Sequence, residues 1–171
     1  VLLSIIYGLV NGLMYIHEKG YAHGDIKPDN IIITADGNVK YIDFGLACTQ
    51  NCISPDCNNS CSVLRVMSAI YTSPDYYRSD TRNVQIAQSN DVWSLGLVLY
   101  QLANIAALPF DYSSDRDTLR ANILSAPKYK SHNNFQPINS YIDSFLTTSY
   151  LNRPNIQMQY SVITDIIHNN E

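Results

Sequence analysis

Residues 21–47 read YAHGDIKPDNIIITADGNVKYIDFGLA, and how this stretch folds decides the rest. Two β-branched runs, IIIT at 31–34 and VKYI at 39–42, are separated by ADGN. Asp36-Gly37 between such runs predicts a tight hairpin. HGDIKPDN at 23–30 is too polar and too broken for a helix or strand and reads as a loop. DFGLA at 43–47 follows the second run directly. A tight hairpin brings the chain back to where it left. Asp25, Lys27 and Asn30 on the way in, and Asp43 on the way out, are therefore expected to meet at one end of it.

Those four side chains suit one kind of chemistry. Asn30 and Asp43 offer hard oxygen ligands for Mg²⁺, which takes few protein ligands and keeps phosphate and water for the rest. Asp25, free of metal, would accept a proton from a hydroxyl. Lys27, on the same loop, would neutralise a phosphoryl group in transit. Asp and Asn also cap turns with no chemical role, and any one of these residues alone would be read that way. Four of them at this spacing favour a site.

Outward from the hairpin the chain is mostly helical. Leu2, Ile6, Leu9, Leu13 and Ile16 recur at steps of three and four and form one apolar stripe, with Gly20 as the stop. DVWSLGLVLYQLA at 91–103 is apolar on nearly every side, as a helix at the centre of a domain would be. Ser114, with Asp117 three residues later, reads as a capping box for a helix through residue 124. INSYIDSFLTTSYL (138–151) and IQMQYSVITDIIHN (156–169) read as two more helices, parted by Arg153-Pro154. The expected class is α+β, mainly α, with a small hairpin at a cleft. Of the 171 residues, 46% are hydrophobic and 15% charged, enough apolar material for a core. A net charge of −4 with no basic stripe argues against nucleic acid and anionic membranes as partners. No long apolar run marks a membrane span. The apolar start lacks a basic leader, and Val1 has neither a preceding Met nor a cap, which suggests a piece of a longer chain. Abundant Asn, Ile and Tyr resemble the proteins of AT-rich genomes, viral ones included.

Together the motifs resemble a eukaryotic-type serine/threonine protein kinase, specifically its C-terminal lobe, over 1–171. HGDIKPDN resembles the catalytic loop and DFG the metal-binding triplet. SPD at 73–75 resembles the A-P-E triplet, DVWSLG the start of the central helix, and Arg153 the late arginine of that lobe. Five motifs in order are far more specific than one. The resemblance implies ATP and Mg²⁺ as cofactors and a protein as substrate. Asp25 would be the catalytic base, Lys27 the γ-phosphate contact, and Asn30 and Asp43 the Mg²⁺ ligands. Ser68 aligns with the threonine that bonds Asp25 and Lys27 and positions substrate. Lys27 itself points to serine/threonine rather than tyrosine substrates. His23 and Phe44 would stack in the core beneath the site, and Asp91 would bond the loop backbone. Asp75 would pair with Arg153, at longer range than the family's usual Glu. Such an enzyme is expected inside the cell, in the cytoplasm, or in the host's if viral.

The sequence departs from the pattern in places. Gly24 stands where most such kinases carry the arginine that grips a phosphorylated activation segment, so control by that route is not expected. Met67 stands where a glycine is usual. The glycine-rich loop, the nucleotide-binding lysine and its Glu belong to an N-terminal lobe that would precede Val1, in cis or in trans. Without it the chain is expected to be inactive. A pseudokinase scaffold would have lost Asp25, Asn30 or Asp43. A small-molecule phosphotransferase of the aminoglycoside-kinase type would carry His in place of Lys27 and would lack the 68–75 segment. Lastly, all four cysteines fall between DFG and SPD: Cys48, Cys52, Cys57 and Cys61, spaced C-x₃-C-x₄-C-x₃-C. That spacing suits a tightly wrapped structural zinc site, with free thiols or disulfides as the alternatives.

Overall fold

The computed structural model describes residues 1–49, 61, 68–78, 83–125 and 136–170. The chain opens with helix α1 (Leu2–Glu18), followed by the short strand β1 (Tyr21–Ala22). The hairpin is β2 (Ile31–Ile33) and β3 (Val39–Tyr41), antiparallel, with Ile31 opposite Tyr41 and Ile33 opposite Val39. Gly37 takes φ +83° in its turn, the left-handed backbone the Asp-Gly pair predicts. Strand β4 (Cys48–Thr49) returns to pair with β1, setting Ala22 opposite Cys48. This second two-stranded sheet was not expected, since Ala47 onward reads as loop. Helices α2 (Pro74–Arg78), α3 (Val84–Ala103), α4 (Arg116–Ser125), α5 (Gln136–Phe145) and α6 (Ile156–His168) complete the fold.

The hairpin lies directly on α1 because α1 is thin there. A Cβ at Gly8 would stand 2.9 Å from Val39 Cγ2, and one at Gly12 would stand 3.0 Å from the Tyr41 ring. Tyr41 then donates its hydroxyl to the Leu9 carbonyl at 2.7 Å. The α1 stripe is buried at Ile6, Leu9, Val10 and Leu13, with α6 packed alongside. At the centre is α3, buried continuously from Asn90 to Tyr100. It begins seven residues before its apolar core, where the Asn83 side chain accepts from Ile86 N at 2.9 Å. Gly96 admits α5 at close range: a Cβ there would be 2.5 Å from Phe145 Cβ.

Two further helix boundaries differ from the reading of the sequence. Asp115, not Ser114, caps α4, accepting from Thr118 N at 2.8 Å. Helix α5 stops at Phe145 rather than running to Leu151. Thr147 folds its hydroxyl back onto Ser144 O at 3.0 Å, and its own carbonyl is taken by the Arg153 side chain. No helix among the described residues is long and apolar enough to cross a membrane.

Candidate active site

The loop before the hairpin is hung from the central helix. Asp91 of α3, fully buried, accepts from His23 N at 2.7 Å through one oxygen and from Gly24 N at 2.9 Å through the other. His17, at the end of α1, reaches the same carboxylate through Nε2 at 3.0 Å. Gln88 ties the turn between them, donating to His17 O at 3.1 Å and Tyr21 O at 2.9 Å. A buried carboxylate is costly unless its oxygens are satisfied, and here three donors satisfy it. His17 and Gln88 were missed in the sequence. A lone His on an apolar helix looks like an ordinary core residue, and only the fold brings it to Asp91.

Gly24 sits within this turn at φ +83°, with its Cα against the Leu46 carbonyl. A Cβ would stand 2.4 Å from that oxygen. The position is therefore closed to any side chain unless the 46–47 backbone moves.

Beyond Gly24 the polar side chains converge. Lys27 Nζ lies 2.7 Å from Asp25 Oδ2 and donates to Ser68 Oγ at 3.0 Å. Ser68 donates in turn to Asp25 Oδ1 at 2.7 Å. Asn30 Nδ2 donates to the Asp25 carbonyl at 2.8 Å and to its carboxylate at 3.1 Å. Burial alone would push the Asp25 carboxyl up. The hydrogen bonds from Lys27 and Ser68 outweigh it and leave the group below the ordinary aspartate value. Its bond to Asp25 likewise raises Lys27 against the opposing effect of burial. Asp25 thus gains stability from ionisation above about pH 3.8, lost as pH falls through its lowered value. Lys27 gains from protonation below about pH 10.5, lost as pH rises through its raised value. Across the neutral range the pair is fully charged.

The hairpin base returns the chain to Asn30 one residue before Asp43. Ile42 N donates to Asn30 O at 3.0 Å, so the chain leaving β3 runs beside the chain entering β2. Asn30 is buried, and its amide nitrogen is committed to Asp25. The amide oxygen is the end left for a cation. Asp43 is exposed, holds a left-handed backbone at φ 59°, and accepts from Gly45 N at 3.2 Å. An amide oxygen and a carboxylate with a spare oxygen suit Mg²⁺ completed by phosphate and water. No group of three or more His, Cys, Asp or Glu is gathered as a metal cage among the described residues.

His23 is buried and its ring lies 4.7 Å from that of Phe44, centroid to centroid. Phe44 is not in the core, however. It is 49% exposed, with no described residue covering that side of the hairpin. The segment from Ser68 to Asp75 is seated on α3 by residues the sequence did not flag. Ser94 donates to Tyr71 O at 2.6 Å, and Asn90 Oδ1 accepts from Ser73 N at 2.8 Å. Asp75 meets Arg153 at 2.8 Å. The shorter side chain does not lengthen the pair, since buried Arg153 is also held by Ser89 O at 2.8 Å and Thr147 O at 2.9 Å.

The four-cysteine zinc site is corrected. Cys48 and Cys61 are joined as a disulfide, with their Cα atoms 5.0 Å apart. Sulfurs bonded to each other are not thiolate ligands. Cys52 and Cys57 lie outside the described residues, as does Met67.

The chain matches the protein kinase domain family over residues 1–162. It is 38% identical over 104 residues to the maternal embryonic leucine zipper kinase of Danio rerio, covering 60% of this chain and 14% of that protein. It is 35% identical over 114 residues to CBL-interacting protein kinase 4 of Oryza sativa subsp. japonica, covering 66% and 23%. It is 31% identical over 134 residues to the serine/threonine-protein kinase TOS3 of Saccharomyces cerevisiae, covering 74% and 24%. The match spans less than a quarter of the length of each of these three relatives. A family match over nearly the whole chain coincides with a loop, hairpin and anchoring aspartate built from the same residues, and the chain belongs to the eukaryotic-type protein kinases.

Proposed function

We propose that this chain is the C-terminal lobe of a serine/threonine protein kinase, transferring the γ-phosphoryl group of ATP to a hydroxyl on a protein. One observation carries the reading: the Ser68 hydroxyl bridges Asp25 and Lys27, at 2.7 Å and 3.0 Å. That bridge fixes a carboxylate and an ammonium side by side, one to receive a proton and one to meet negative charge. A substrate hydroxyl hydrogen-bonded to Asp25 gives up its proton there as its oxygen bonds to the γ-phosphorus and the bond from that phosphorus to the bridging oxygen breaks, releasing ADP. Lys27 offsets the charge on the transferred group. Mg²⁺, held by Asn30 and Asp43, would draw charge from the phosphates. These are positioning and electrostatic tasks, which is what phosphoryl transfer asks of a protein.

The nucleotide needs a second wall. Beside the site, an open cleft of about 540 Å³ is lined by Tyr15, Tyr21, Val39, Tyr41, Phe44 and others. Ile32, Ile33 and Ile42 are more than a third exposed nearby. An apolar face of this kind at the mouth of a polar site fits an ATP-binding lobe, in the same chain or a partner. The test compares residues 1–171 with a longer protein carrying the complete domain, each given ATP, Mg²⁺ and matched peptides bearing Ser or Tyr. Transfer to Ser by the longer protein, with little from the fragment, is expected. Transfer to Tyr alone, or none to either peptide, would overturn the reading.

A further inference from the structure

We propose that Cys48 and Cys61 form a redox-modification site, a thiol–disulfide pair that takes small thiols and dithiols as co-reactants and ties the segment before Ser68 to the catalytic loop. The effect on activity rests on the kinase reading above. The tether itself does not.

Cys48 lies on β4 directly opposite Ala22, the residue that leads into His23, Gly24 and Asp25. Cys61 is the one described residue between Thr49 and Ser68, and it is joined to Cys48 across a separation of 13 residues. Both are nearly buried, at 6% and 5% exposure, in a small cluster with Ala22, Val84 and Ala87. The bond therefore joins Cys61 to β4, which is paired with the strand before the catalytic loop, and the start of α3 packs against the two cysteines. Ser68 in turn supplies the hydroxyl between Asp25 and Lys27.

The catalytic loop has no other device for gripping this segment at Gly24. That position carries no side chain, and the Leu46 carbonyl fills the space where one would start. A covalent link one strand away can do the same task by different chemistry, and it is reversible. In reduction, a dithiol's thiolate attacks one sulfur of the pair, the S–S bond breaks, and a mixed disulfide forms. The dithiol's second thiolate displaces it, leaving two thiols on the protein and a cyclic disulfide on the reagent. Two electrons and two protons pass to the cysteines. Oxidised glutathione reverses the exchange, ending as two molecules of the reduced thiol. Burial among apolar side chains slows the attack, so the site responds to sustained change in the thiol pool.

The experiment uses protein with the complete kinase domain in three states: as oxidised, after dithiothreitol, and after re-oxidation with oxidised glutathione. Non-reducing peptide mapping is expected to find Cys48 joined to Cys61 in the first and third states. Reduction is expected to raise KM for the peptide by on the order of tenfold, leaving KM for ATP unchanged and reversing on re-oxidation. A Cys48→Ser/Cys61→Ser variant should resemble the reduced protein and ignore both reagents, while Cys52→Ser/Cys57→Ser should still respond. Failure to find the pair, or an equal response in the Cys48→Ser/Cys61→Ser variant, would overturn the proposal. If no state transfers phosphate, the kinase reading fails and proteolysis judges the tether. Faster cleavage between Thr49 and Ser68 after reduction upholds it; unchanged cleavage sinks it.

Discussion

At the scale of the residue, the decisive group is Lys27. Asp25 is pulled in two directions: burial raises its carboxyl, and hydrogen bonds from Lys27 and Ser68 lower it by more. Removing Lys27 leaves burial in place and takes away the larger of the opposing contacts. In the complete domain, Lys27→Ala is therefore expected to move the acid limb of the kcat/KM profile to higher pH and to lower its plateau by about 10²- to 10⁴-fold. A lowered plateau with an unmoved acid limb would show that Lys27 does not set the charge of Asp25. The contacts among Asp25, Lys27 and Asn30 were legible as three polar residues on one short loop, and the return of the chain to Asn30 just before Asp43 as the closing of a two-strand hairpin. Four residues closing the arrangement were not legible. His17, Gln88, Asn90 and Ser94 lie on helices and reach Asp91, the turn before the loop or the 68–75 segment only through tertiary packing. Their spacing carries no signal that separates them from ordinary helix residues.

At the scale of the element, α3 sets the order of everything else. It carries Asp91 for the loop before the hairpin, Asn90 and Ser94 for the 68–75 segment, and Gly96 for α5. Its apolar centre was legible as an all-round buried helix. Its first two turns were not, because VQIAQSN has no clean period and only Asn83 marks the start. The α4 cap was misread by one residue: Ser114 and Asp115 are both good caps, and local backbone direction chooses between them. Gly96 makes an exacting contact between α3 and α5. An alanine methyl would meet Phe145 Cβ at 2.5 Å and Leu146 Cδ2 at 3.0 Å. Two packed helices would have to separate, so Gly96→Ala is expected to cost about 1–3 kcal/mol, seen as a lower midpoint in thermal or urea unfolding. An unchanged midpoint would mean that α3 and α5 are less closely fixed than the distances imply.

At the scale of the whole molecule, the described residues present one polar cluster beside one open apolar face. The polar cluster is internally satisfied: each of Asp25, Lys27 and Ser68 already has a partner within 3.0 Å. The apolar face is open among the described residues, with Phe44 half-exposed beside a buried His23. Exposure belongs to the fold and not to the spacing, so the sequence did not show which face this would be. The cysteines mark the same limit. Their clustering was plain, but pairing depends on β4 returning to β1, and a two-residue strand leaves almost no trace in a sequence. Everything proposed for this site turns on Asp25 taking the proton from a protein hydroxyl during phosphoryl transfer. The most direct measurement is the rate of ³²P transfer from ATP to a serine peptide by the complete domain, wild type against Asp25→Asn, with folding matched by circular dichroism. A loss of about 10²- to 10⁴-fold in kcat is the predicted result. Equal rates from the two proteins would contradict it.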